Sequence, residues 1–194
     1  MTVSAPAWTL PMISAPDFLS RTDFTEAAAR VVAEAARAEG VREVEELIAT
    51  GRKMDAVYKA LEVYGINASH VKELAYDPGL AGDAYTWPNL SVRIGDDSFK
   101  SAAWLGSVLS HEIDVHIDQF RKMGDIEPKD LRLAVMQVEA FDHHLATAER
   151  FGLSKDEIAE VKDRRDSWYD GLDGDYKRRV DEGIYEMKPG DELE

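Results

Sequence analysis

Apolar residues return at helical spacing along most of the chain. From Asp23, with Glu26 three residues on as in a capping box, an Ala-rich run reaches Glu39 and reads as a helix ended by Gly40. Val41, Val44, Leu47 and Ile48 keep the spacing up to Gly51, and Met54, Val57, Tyr58 and Leu61 carry it through another helix that stops at Gly65. Between Val71 and Phe99 the character changes. Pro78, Gly79, Gly82, Pro88 and Gly95 interrupt the pattern, and Leu90 to Ile94 alternates as a half-buried strand does, so two or three short strands are expected. Helical spacing resumes beyond Ser98 through Trp104, Leu105, Val108, Leu109 and Ile113, until about Lys122. A further helix is expected from about Pro128, a residue suited to a first turn, to Arg150, before Gly152. Ser154 and Glu157 form a capping box for a last long helix with Ile158, Val161 and Trp168 on one side. The expected fold is mainly α with a small β-sheet or hairpin (α+β).

Pro6, Pro11 and Pro16 make residues 1–16 an extended arm whose Trp8, Leu10 and Ile13 can lie against the body of the protein. Residues 17–192 then read as a single globular domain, and Leu193-Glu194 as a vector-derived tail. A chain of 194 residues with 44% hydrophobic and 31% charged residues has the size and composition of one folded domain. Its 38 acidic against 23 basic residues give a formal charge of −15, which repels phosphate backbones and anionic lipid. Neither nucleic acid nor membrane is an expected partner; a metal ion, a basic peptide or an amine suits the field, and an acidic surface also serves solubility. The start lacks the basic end and apolar run of a secretory signal, and no stretch approaches the roughly 20 apolar residues of a membrane span, so a cytoplasmic protein is expected. Oligomeric state is not encoded in any recognisable pattern.

With no cysteine, a metal site has only histidines and carboxylates to draw on. Four of the five histidines fall in two places, His111 and His116 in SHEIDVHIDQF and His143 and His144 in QVEAFDHHLATAE, both on predicted helices. Two helices side by side could therefore present several nitrogen and oxygen ligands to one ion. Positions four apart share a helix face, so Glu112 and His116 line up with Leu105 and Leu109 on the side expected to face the core, and Glu139 and His143 repeat the arrangement. Glu and His buried on an apolar face need partners, which a cation supplies. His111 and His116, five apart, would diverge by roughly 140° on a regular α-helix. Their convergence requires a distortion, and a π-bulge between Ile113 and Val115 would supply it. His143 and His144 point about 100° apart, so only one of them is expected at the ion. Asp170, Asp173 and Asp175 miss the spacing of a calcium loop and read as a solvated acidic turn. Tyr76, Tyr85 and Trp87 are expected to pack the strands, with a substrate groove as their other use.

The run AYTWPNLSVRIGDDSFKSAAWLGSVLSHEIDVHIDQF, followed by VEAFDHHLATAERFGLS, resembles small zincin-like metallopeptidases over roughly Tyr76 to Ser154. There a strand precedes a helix bearing His-Glu, and a later helix supplies a further Glu. The resemblance implies a zincin-like helix pair with His111 as a zinc ligand, Glu112 as the general base and Glu139 as the third ligand. This chain departs from H-E-x-x-H at one point: Val115 stands where the second ligand is expected, and the histidine follows at His116. The leading expectation is a zinc-dependent hydrolase acting on a peptide or small molecule, with His111, His116 and Glu139 on the metal. One alternative is an iron or manganese protein with redox chemistry, using Glu112, His116, Glu139 and His143. The other is a non-enzymatic helical binding module derived from a hydrolase.

Overall fold

The computed structural model describes residues 21–123 and 129–187. The proline-spaced arm, Pro128 and Leu193-Glu194 lie outside them. The chain divides into two units, residues 1–36 and 37–194. In the first, the described residues are the opening turns of helix α1 (Arg21–Ala49). The elements that build the site belong to the second.

Helix α1 runs unbroken through Gly40 and is already helical at Arg21, so Asp23 is not its N-cap and Gly40 does not end it. Gly40 serves packing instead. A Cβ there would come within 2.5 Å of Val63 Cγ2 on helix α2 (Lys53–Tyr64), so the missing side chain lets the two helices close up. Gly65, in the left-handed conformation at φ 62°, does end α2 as the sequence predicts.

Three short strands follow, β1 (Glu73–Tyr76), β2 (Ala84–Thr86) and β3 (Ser91–Ile94). They form a sheet of order β1-β3-β2, with β1 parallel and β2 antiparallel to β3. Successive Ser91 and Val92 are both buried, so central β3 is covered on both faces at that point rather than half-buried in strict alternation. Tyr76 packs edge-on against Phe99 and donates its hydroxyl to Asp96, while Tyr85 and Trp87 pack against each other at 4.5 Å between ring centroids.

The second half is helical: α3 (Ala102–Ser110), a π-helical turn (His111–His116), α4 (Ile117–Met123), α5 (Asp130–Ala146), α6 (Ala148–Phe151), α7 (Lys155–Asp170) and α8 (Gly174–Asp181). Ser101 caps α3 by accepting from the Trp104 amide. The helix expected to reach Arg150 breaks at Thr147, whose hydroxyl donates to the His143 carbonyl at 2.8 Å. The Ser154–Glu157 capping box is present on α7. Asp173 caps α8 through the amides of Asp175 and Tyr176, which gives the acidic segment a local structural role.

The main core joins Trp104, Leu105 and Leu109 of α3 to Val57 and Ala60 of α2 and to Val92 and Ile94 of β3. Each large side chain so buried contributes roughly 1.5–3 kcal/mol. A smaller cluster joins Ala134, Val135 and Val138 of α5 to Leu172, Tyr176 and Val180. The fold is mainly α with a small mixed sheet, as the periodicity predicts. Among the described residues, no helix is long and apolar enough to cross a membrane.

Candidate metal centre

The π-helical turn sits where the spacing of His111 and His116 demands a distortion. The Ile117 amide donates to the Glu112 carbonyl five residues back, so one turn holds one residue more than an α-helix would. The rings of His111 and His116 consequently meet edge to face, with centroids 4.8 Å apart. One ligand atom from each of His111, Glu112 and His116 lies within 4.8 Å of the other two. All three residues are buried, and they line a cavity of about 210 Å³ walled by β2, α3, α5 and Arg164 of α7.

Burial sets the electrostatics. It pushes the His111 pKa well below the ordinary histidine value, with the neighbouring His116 adding to the effect. Burial also raises the Glu112 carboxyl, against the opposing pull of His116 and of the Thr86 hydroxyl, which donates to Glu112 Oε2 at 2.6 Å. His111 is thus held neutral with a lone pair to give, and its Nδ1 is buried without a hydrogen-bond partner.

The orientation of His116 follows from Gln119. The Gln119 amide nitrogen donates to Glu139 Oε2 at 2.6 Å and to the Met136 carbonyl at 3.2 Å. Its amide oxygen is therefore turned to His116 Nδ1, 2.7 Å away, and can only accept. The network places the proton on Nδ1 and leaves the Nε2 lone pair to accept from the Gln137 side-chain nitrogen at 3.2 Å, the lone pair that an ion would take in its place. This is how metal-binding histidines are commonly fixed, by a hydrogen bond at the nitrogen away from the ion.

The structure does not bring Glu139 and His143 into this group. Glu139 is held by Gln119 and lines a second cavity of about 430 Å³ with Lys122, Arg132 and Tyr185. His143 Nε2 lies 3.0 Å from Ser110 Oγ, which in turn donates to Asp114, and burial lowers its pKa. The reason is a division of α5 into stripes. Leu133, Gln137, Phe141 and His144, spaced by three and four, face the first cavity; Arg132, Val135 and Glu139 face the second. His144 is the site residue that pairing by four misses. Its signal was its place three residues after Phe141 and four before Ala148, on a buried apolar stripe. Of the strand aromatics, Tyr85 lines the first cavity, whereas Tyr76 and Trp87 do not.

Two imidazoles and a carboxylate with no thiolate suit zinc, iron or manganese, and the orphaned His111 nitrogen fits a cation better than a closed polar core. No protein-family model, curated protein or solved structure matches the chain.

Proposed function

We propose that the chain is a zincin-like metal-dependent hydrolase acting on peptides, with His111 and His116 as zinc ligands and Glu112 as general base. The observation that carries this reading is the π-helical turn, which draws His111, Glu112 and His116 to within 4.8 Å of one another in spite of the five-residue spacing. When bound, zinc would supply a Lewis acid and lower the pKa of a water to about 7. Glu112 stands beside both histidines with one oxygen held by Thr86, and burial has already raised its proton affinity, as accepting a proton near neutral pH requires. The formal charge of −15 favours cationic peptides over acidic ones.

A second reading is supported by the same cluster. Two histidines and one carboxylate are a ligand set suited to ferrous iron, with Glu112 on the metal instead of serving as base. One experiment separates the two. Untagged protein purified without added metal or chelator is assayed for metal content, beside Glu112→Gln. Near-stoichiometric zinc retained in Glu112→Gln, with peptidase activity lost, supports the hydrolase. Iron in the wild type and its loss from the variant supports the second reading. Metal-free protein that takes up neither ion removes both.

A further inference from the structure

We propose that His144 is the third protein ligand of the centre, in the place that the zincin resemblance gives to Glu139. This rests on the zinc reading above. A catalytic zinc is held by three protein ligands and keeps one position open, so with Glu112 reserved as base, His111 and His116 leave the set one short.

The side chains around the cavity narrow the choice. Glu139 faces the second cavity and is taken up by Gln119. His143 is engaged with Ser110. Asp83 accepts from Trp104 Nε1 and is paired with Arg164. His144 is only 3% exposed, lines the same cavity as His111 and His116, and has both ring nitrogens buried without a partner. Native cores rarely leave buried polar atoms unmet without a use.

Position and surroundings agree with that use. The His144 ring centroid is 5.7 Å from that of His111, and the ring also packs against Trp104 and Phe141. His144 stands outside the 4.8 Å group, and closing on a shared ion asks its ring to turn towards His111. Neither ring nitrogen is bonded, so that movement breaks no hydrogen bond. The resulting three-histidine set carries no ligand charge, which keeps the ion a strong Lewis acid and leaves Glu112 free to move protons.

The test uses the full chain loaded with zinc. X-ray absorption at the zinc edge counts bound imidazoles, and chelator competition gives zinc affinity for wild type, His144→Gln, His143→Gln and Glu139→Gln, with circular dichroism as the folding check. Three imidazoles are expected. His144→Gln should weaken zinc by more than ~100-fold, whereas His143→Gln and Glu139→Gln, which bond none of the three histidines, should fall short of the ~10–100-fold that loss of a direct outer partner costs. Two imidazoles in the wild type, or unchanged affinity in His144→Gln, overturns the assignment while leaving the zinc reading in place. If His144→Gln does not fold, the wild-type imidazole count decides. A wild type that takes up no zinc removes the zinc reading and this ligand with it.

Discussion

Thr86 Oγ1, on edge strand β2, stands 2.6 Å from Glu112 Oε2, so a hydroxyl from the sheet holds a buried carboxylate on the π-helical turn. Replacing it by Val leaves that oxygen without its donor. In metal-free protein at neutral pH, Thr86→Val should lose about 1–3 kcal/mol of stability, the cost of stranding a buried acceptor. The loss should shrink in acid, because Glu112 has a raised pKa in the fold and protonation removes the charge that needs the hydroxyl. Urea unfolding at the two pH values measures this; equal stability of the two proteins at neutral pH would show that Thr86 holds nothing.

Gln119 orients His116 through the only direction left to its amide oxygen. Nitrogen NMR should find the His116 proton on Nδ1 in the wild type. In Gln119→Leu that preference should be lost and zinc affinity should fall by about 10–100-fold. Unchanged tautomer and affinity would mean that packing, not the amide, sets the ring.

In metal-free protein the His144 pKa is pushed down to about 4, first by burial and then by His143 and Arg164. The fold therefore holds His144 neutral while the unfolded chain binds a proton below the ordinary 6.5. The sign follows: stability is fully present above 6.5 and is lost progressively as pH falls towards about 4, by on the order of 3 kcal/mol. Denaturant unfolding across this window should show the slope in wild type and a shallower one in His144→Gln. Parallel slopes would assign the acid sensitivity to other groups.

Gly106, inside α3, faces the Tyr64 ring, and a Cβ there would also lie 3.0 Å from Phe151 Cδ1. Gly→Ala in a helix ordinarily stabilises by about 1 kcal/mol. Here Gly106→Ala should destabilise by about 1–3 kcal/mol, since neither ring can yield without disturbing the core. Thermal unfolding gives the sign directly, and a raised midpoint would contradict the packing described.

What the sequence discloses is mostly what is decided locally. The Ser154–Glu157 box, the left-handed Gly65 and the mixed character of residues 71–99 all rest on interactions within a few residues, and all are found. Gly40 was misread as a helix end because the reason for it lies on another helix, at Val63. The π-helical turn was legible from the five-residue spacing of the two histidines.

The lining of the candidate site was only half legible. Pairing Glu139 with His143 by their separation of four correctly puts them on one face of α5, but periodicity does not say which face meets the turn. That is settled by how α5 packs between the π-helical turn, α7 and α8, where the Arg165–Asp142 pair and the Val138–Tyr176 cluster fix its rotation. With α5 so turned, His144 enters the first cavity and Glu139 the second.

The extra residue in the π-helical turn ties two things together that look separate. If the turn tightened to plain α-helix with its extra residue still in place, everything beyond would swing by roughly 100°. Ile117 and Phe120, now buried, would be carried out of place along with His116. A one-residue deletion here would instead let the helix re-zip with α4 still in phase, because the wide turn already absorbs that residue. The cluster and the seating of α4 thus depend on the same wide turn.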